Sequence, residues 1–175
     1  VYKRQGDMDG DGDLDIVAAS AGDDTIAWYE NDGAANPSWT KSVIDSSLDA
    51  ALSVYPADLD GDGDLDIVSA SAFDHTIAWY QNNGAADPSW SGTDITTSAT
   101  GARDVFVGDM DGDGDLDIVS ASVDDDTLAW YEADWTTSST SRVTGATCGS
   151  SPDLPAGLSI CLLYTSDAAD EVEGV

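Results

Sequence analysis

The stretch that decides the fold is Asp7-Met8-Asp9-Gly10-Asp11-Gly12-Asp13-Leu14-Asp15, which runs directly into the apolar segment IVAA at 16–19. Its central string, DGDGDLDIV, occurs three times, beginning at Asp9, Asp60 and Asp111, so the chain repeats every 51 residues. A Trp-Tyr pair keeps the same spacing at 28–29, 79–80 and 130–131. A constant period of this length is typical of one supersecondary unit per repeat, and it is close to the length of a propeller blade.

Each repeat has the pattern of four short strands. In the second repeat, the β-branched and small residues 65–72 and 76–82 predict two strands around a turn at 73–76, and residues 53–59 and 90–97 predict one strand before and one after them. The two middle strands are apolar on both faces, as expected where blades stack face to face. No segment shows sustained helical periodicity.

The predicted fold is therefore all-β, a partial β-propeller of three tandem four-stranded blades of about 51 residues. Closed propellers have about four to eight blades, so we expect an open fragment of a larger propeller. We divide the chain into a leader at 1–5, repeat 1 at 6–50 with a truncated first strand, repeat 2 at 51–101, repeat 3 at 102–147 with a divergent end, and a tail at 148–175.

The two ends of the chain have no counterpart in the repeats. Residues 1–5 (VYKRQ) and the segment CLLYTSDAADE at 161–171 resemble translated sequencing-adapter DNA, and we expect 1–5 and 161–175 to be non-native. Cys148 and Cys161 belong to no metal-type spacing, and the sequence leaves open whether they pair.

The composition points to cations as partners. The chain has 35 acidic and 5 basic residues, a formal net charge of −30, so nucleic-acid binding, which needs Lys and Arg, is not expected. Each of the three Asp-rich segments contains five aspartates, whose mutual repulsion opposes folding unless a cation neutralises it. No apolar stretch reaches the roughly 18 residues needed to span a membrane.

The spacing of the aspartates matches the chemistry of Ca²⁺. This ion takes about six to eight oxygen ligands, which carboxylates at alternate positions of a tight loop can supply, and Gly12 allows the turn. We expect about three Ca²⁺ per chain, each bound by four side chains and one main-chain oxygen. The side-chain ligands are Asp7, Asp9, Asp11 and Asp15, then Asp58, Asp60, Asp62 and Asp66, then Asp109, Asp111, Asp113 and Asp117. The main-chain oxygens are those of Asp13, Asp64 and Asp115.

Other interpretations of these loops fit the sequence less well. An EF-hand needs a Glu at loop position 12 and flanking helices, whereas this position is Ala18, Ser69 or Ser120 and the flanks predict strands. Mg²⁺ prefers near-ideal octahedral geometry and keeps several waters. Merely solvated turn residues would not recur in three almost identical copies.

No catalytic residues are evident. His75 is the only histidine and occupies a predicted exposed turn, so a Ser-His-Asp or Cys-His site is difficult to assemble. Trp28, Trp79 and Trp130 lie inside apolar strands, which favours the core between blades over a sugar-stacking role. Trp39 and Trp90 follow polar loops nearer the surface, and the sequence offers no support for sugar contact there. We therefore expect that the chain is not an enzyme.

With these features the chain resembles the FG-GAP / VCBS repeat family, which is similar to the blades of integrin alpha-chain propellers. The resemblance rests on the spaced aspartates, the apolar strand and the Trp-Tyr pair, over about residues 7–135. It implies a Ca²⁺ in the hairpin loop between the first two strands of each blade, further blades in the parent protein, and an extracellular, secreted or cell-surface location.

The function expected from the sequence is a calcium-binding propeller module for adhesion or binding of an extracellular protein or glycan, with structural Ca²⁺. Two alternatives stay open at this point. The repeats belong either to an accessory domain of a larger secreted enzyme, such as one that degrades polysaccharides, or to a structural spacer.

Overall fold

The computed structural model describes residues 1–133 in full and the backbone of 147–149 and 158–165. These residues form only antiparallel β-sheets, which confirms the predicted all-β architecture of an open partial propeller. The first sheet has four strands: β1 (Tyr2–Gly6), β2 (Asp15–Ser20), β3 (Thr25–Asn31) and β4 (Trp39–Asp45). The second also has four strands: β5 (Ala51–Ala57), β6 (Asp66–Ser71), β7 (Thr76–Asn82) and β8 (Trp90–Thr96).

The third sheet contains β9 (Ala102–Gly108), β10 (Asp117–Ser122) and β11 (Thr127–Ala133). Two backbone segments extend it, because β13 (Leu158–Thr165) pairs with β11, and β12 (Thr147–Gly149) pairs with β13. Within this described part of the chain, no helix is long and apolar enough to cross a bilayer.

Both ends of the chain contribute backbone to the sheets. Strand β1 includes residues 2–5 of the leader, and β13 includes residues 161–165 of the tail. The assignment of 1–5 and 161–175 as non-native stays a prediction. The register of β12 and β13 sets Cys148 opposite Cys161 in the backbone. Whether the two cysteines pair depends on their side chains, which lie outside the described part of the structure. Residues 134–146 of repeat 3 and 166–175 of the tail also lie outside it.

The two middle strands of each sheet carry the core, as their sequences predict. All six residues of β6 are buried, and five of the seven residues of β7 form a continuous buried run. The outer strands β4 and β8 are mostly exposed, in keeping with their polar sequences. The predicted strand 76–82 coincides with β7, and the predicted strand 65–72 is one residue longer at each end than β6.

Two apolar clusters join neighbouring sheets. Between the first and second sheets, Val17 and Trp28 pack with Ile67 and Tyr80. Between the second and third, the repeat equivalents Val68 and Trp79 pack with Ile118 and Tyr131. Each blade therefore presents the same two faces to its neighbours, with a Val-Trp face on one side and an Ile-Tyr face on the other.

Polar bonds across the two junctions differ, although the repeats are nearly identical. At the first junction, the Asn82 amide donates to the Met8 carbonyl at 2.9 Å and the Tyr80 hydroxyl donates to Asp45 at 2.9 Å. At the second junction, the Ser53 hydroxyl donates to Asp104 at 2.6 Å. The bond to the Met8 carbonyl requires the amide of Asn82, and the equivalent residue in the third sheet is Ala133, which has no side-chain amide.

Candidate metal centre

The three Asp-rich segments form the loops between the first two strands of each sheet, at 7–14, 58–65 and 109–116. The antiparallel hairpins place all three loops at corresponding ends of their blades, and each strand after a loop begins with a buried aspartate. The location between a blade's first two strands is the one that the sequence predicted.

Hydrogen bonds from backbone N–H groups to nearby carboxylates fix the conformation of each loop. In the first loop, Asp7 accepts from the N–H of Gly12 at 2.9 Å, and Asp11 accepts from the N–H of Asp13 at 2.9 Å. The same bonds recur 51 residues later, from Gly63 to Asp58 and from Asp64 to Asp62. Gly12 has a φ of +96°, the left-handed conformation that glycine adopts without a steric penalty, so its role as the turn residue is confirmed.

The buried aspartate that begins the strand after each loop connects the loop to the third strand of its blade. Asp15 is fully buried and accepts from the N–H of Met8 at 3.0 Å and from the N–H of Asn31 at 2.9 Å. Asp66 accepts from the N–H of Asn82 at 2.8 Å and from the Trp79 indole N–H at 3.0 Å. These residues are therefore structural as well as candidate ligands.

Within each loop, three carboxylates converge so that one oxygen of each lies within 4.8 Å of the others. This mutual separation allows the three oxygens to surround one ion, since Ca²⁺–oxygen distances are about 2.3–2.6 Å. The three clusters are Asp7, Asp9 and Asp15; Asp58, Asp60 and Asp62; and Asp109, Asp111 and Asp117.

One carboxylate oxygen of every cluster is buried without a hydrogen-bond partner among the described residues. These atoms are Asp7 Oδ1, Asp58 Oδ1 and Asp111 Oδ2. A buried and unpaired anionic oxygen is costly, because it has lost its hydration without a substitute. Its recurrence in three loops means that the folded chain offers a hard oxygen donor set that protein groups do not satisfy.

Electrostatics within the clusters disfavour the ionised form of several members. Burial, followed by the negative charges of neighbouring aspartates, raises the pKa of Asp9 and of Asp111, although backbone hydrogen bonds act in the opposite direction. Burial also raises the pKa of Asp60, with repulsion from Asp62 next. A divalent cation would replace this repulsion by attraction.

The buried aspartates that end the loops are perturbed in the same direction. Burial raises the pKa of Asp66 to about 6, against the opposing bonds from Asn82 and Trp79. Burial raises the pKa of Asp117 as well. Backbone bonds from Ala133 and Met110, and then the nearby Trp130 side chain, act in the opposite direction.

The predicted ligand sets are reproduced only in part by the closest groupings. Asp11, Asp66 and Asp113 lie outside the three tight clusters, and Asp13, Asp64 and Asp115 were predicted to offer only main-chain oxygens. In the second loop, the Asp64 carboxylate lies against Gly84, where a Cβ atom would stand. The full ligand lists, including these residues, stay predictions.

Sequence reasoning missed the second segment that shapes each centre. Asn31 donates to the Leu14 carbonyl at 3.1 Å and accepts from the N–H of Gly33, and Asn82 makes the equivalent bonds. Gln81 donates to the Asp60 carboxylate. The signal was present in the Asn that follows the Trp-Tyr pair two residues later in the first two repeats, and in the Gly two residues after that Asn.

Two other predictions concern residues outside the loops. Trp28, Trp79 and Trp130 are all buried, which confirms that they belong to the core between blades. The prediction that His75 is an exposed turn residue is wrong in part. It lies in a turn with a φ of +60°, but it is partly buried, because its ring contacts the Ala72 carbonyl at 2.9 Å.

Comparison with known proteins gives one finding. The family model described as an FG-GAP-like repeat matches residues 7–69 and again 58–120. No curated protein and no solved structure matches the chain significantly. The two matches overlap and together span well over half of the chain, with each beginning at the first aspartate of a loop. The chain therefore belongs to the FG-GAP-like repeat family.

Proposed function

We propose that this chain is a non-catalytic propeller module whose blades are stabilised by calcium, with one Ca²⁺ held in each of the three Asp loops. The observation that carries the proposal is the buried carboxylate oxygen without a partner that recurs in all three loops, beside two further carboxylates. Hard oxygen donors of this kind suit Ca²⁺.

In the first loop, Asp7, Asp9 and Asp15 would hold the ion, with Asp11 and the main-chain oxygen of Asp13 as the further ligands inferred from the sequence. Bound calcium supplies positive charge that neutralises the loop. The chain's own contribution is to fix the hairpin through Asp15, which connects the loop to Asn31 on β3. The proposed role of the site is therefore structural.

An extracellular or cell-surface location suits this chemistry. Ca²⁺ sites of extracellular modules have dissociation constants of about 10⁻⁴–10⁻³ M, which are filled only where calcium is abundant. The resemblance to the FG-GAP / VCBS family implies an extracellular or cell-surface protein, for which adhesion or ligand binding is the expected role. We propose this role for the present chain, as part of a propeller with further blades.

Equilibrium dialysis of the purified chain against calcium tests the proposal. We expect about three ions per chain, and about two for Asp60→Ala, because this change disrupts one cluster. Asp87→Ala removes an exposed carboxylate outside the clusters and should leave the stoichiometry unchanged. Uptake of no calcium, or three ions retained by Asp60→Ala, would contradict the proposal.

Thermal unfolding gives a second measurement. A site with calcium at 100 times its dissociation constant is stabilised by about 2.7 kcal/mol, so three such sites contribute about 8 kcal/mol. We therefore expect a large fall in melting temperature on chelation, restored by calcium but only weakly by magnesium. A role as a spacer would give the same result, and a screen of glycans and extracellular proteins would separate it from ligand binding.

A further inference from the structure

A cavity of about 360 Å³ lies beside the second Asp loop. Its walls come from three places: Asp62 in the loop, Gln81 at the end of β7, and Trp90 and Ser91 at the start of β8, with Asn83 and Ser89 between these strands. The pairing of Gln81 with Ser91 and of Asn82 with Trp90 brings the two strands together at this point. Its volume falls within the range of small-molecule sites.

Existing hydrogen bonds hold the polar groups of this cavity in defined orientations. Asn83 accepts from the N–H of Ser89 at 3.0 Å and from the N–H of Ala85 at 3.4 Å, which leaves its NH₂ group as a donor. Gln81 donates its NH₂ group to Asp60, which leaves its carbonyl oxygen as an acceptor. Within the described residues, these remaining groups have no protein partner.

The cavity also has an aromatic wall. Trp90 is partly buried, packs against the cluster between the first two blades, and also lines the cavity. An indole held in place by packing offers an apolar surface at little entropic cost. The site thus combines a fixed ring with uncharged donors and acceptors.

The first repeat carries different side chains at the positions that are equivalent to the lining of this cavity. The positions of Gln81 and Asn83 are occupied there by Glu30 and Asp32. Asp32 makes the same turn bonds as Asn83, accepting from Ala34 and Ser38, so the backbone is conserved between the two copies while the free group changes from amide to carboxylate. The second repeat alone has both amides among the positions described.

We propose that the cavity beside the second Asp loop binds a neutral sugar ring, with Trp90 against its C–H face and with Gln81 and Asn83 bonded to its hydroxyl groups. A sugar hydroxyl can both donate and accept a hydrogen bond, so it can pair with the NH₂ donor of Asn83 or with the carbonyl acceptor of Gln81. Asp62 and the charge of the chain disfavour an anionic sugar. This inference goes beyond the proposed calcium module. The side chains proposed to contact the sugar, Trp90, Gln81 and Asn83, are not proposed calcium ligands, although Gln81 also donates to Asp60 of the second cluster.

Saturation-transfer NMR of the full chain in calcium tests it, with methyl glycosides of glucose, galactose, mannose and N-acetylglucosamine as probes and glucuronic acid as the anionic comparison. We expect transfer to at least one neutral glycoside and none to glucuronic acid. Titration calorimetry with the best probe should give one site. The double variant Gln81→Glu/Asn83→Asp, which copies the first repeat, should bind about 10-fold or more weakly, because residue 83 loses its NH₂ donor and residue 81 loses the bond to Asp60 that orients it.

Trp90→Phe should also weaken binding, whereas Trp39→Ala, in the first repeat, should leave it unchanged. Circular dichroism of each variant verifies folding, and the double variant uses side chains that the first repeat already accommodates. The inference is overturned if no neutral glycoside binds, if the double variant binds as tightly as the parent chain, or if glucuronic acid is preferred. Calcium dialysis on the same samples is separate, so sugar binding without calcium uptake would refute only the proposed calcium module.

Discussion

Replacement of Asn82 by alanine tests the link between the loop and the blades. Asn82 is 3% exposed, and its side chain donates to the carbonyls of Met8 and Leu65 and accepts from the N–H of Gly84. Each neutral hydrogen bond of this kind contributes about 0.5–1.5 kcal/mol net, so the loss of three predicts a destabilisation of about 1.5–4.5 kcal/mol. The bond to Met8 crosses from the second blade to the first.

Asn31→Ala is the matched control, because Asn31 has the bonds to Leu14 and Gly33 but is the equivalent residue in the first blade. Its expected loss is about 1–3 kcal/mol, and less if solvent replaces the bonds at this more exposed position. Urea unfolding followed by tryptophan fluorescence, with and without calcium, measures both variants. If Asn82→Ala were no more destabilising than Asn31→Ala, the bond between blades would not contribute as argued.

Further predictions concern backbone strain, pH and metal removal. Gly84→Ala should cost about 1–3 kcal/mol in urea unfolding, since Gly84 has a φ of +65° and its Cβ would displace Asp64, whereas Gly61→Ala, with a φ of +74° and open space, should cost less. The metal-free protein should melt at a higher temperature at pH 5 than at pH 7. The folded pKa of Asp66, about 6, lies above its unfolded value, so the stability that it contributes is present at low pH and is lost as the pH rises through 6. A lower melting temperature at pH 5 would contradict this sign. In calcium, the direction should reverse, because protons compete with the ion for the carboxylates.

Much of the fold follows from local chemistry that the sequence states directly. The apolar strand at 76–82 and its turn were predictable because its β-branched and aromatic residues are bounded by turn-forming segments at 73–75 and 83–88. The positions of the Asp loops were predictable because each Asp-rich segment directly precedes the apolar second strand of its repeat. The ends of the chain were less predictable, since residues 2–5 and 158–165 pair with β2 and β11 without sharing the repeated sequence pattern.

The site was predictable in its composition but not in its detailed grouping. Alternate aspartates identified the loops, yet the closest grouping includes Asp15 in the first loop and Asp62 instead of Asp66 in the second, although Asp15 and Asp66 both accept bonds from a residue sixteen positions away. Long-range bonds of this kind leave only a weak signal in one sequence. The cavity at Trp90 was similarly hidden, because it forms where two loops of one blade meet.

Nearly identical repeats joined by different bonds have a consequence for how the array melts. In linear repeat proteins, stability is approximately a sum of terms for single units and terms for nearest-neighbour interfaces. Here the unit terms are similar, whereas the interface terms differ, with Asn82 and Tyr80 at one junction and Ser53 at the other. Amide hydrogen exchange should therefore resolve two opening events, whose order is determined by the junctions more than by the sequences of the blades.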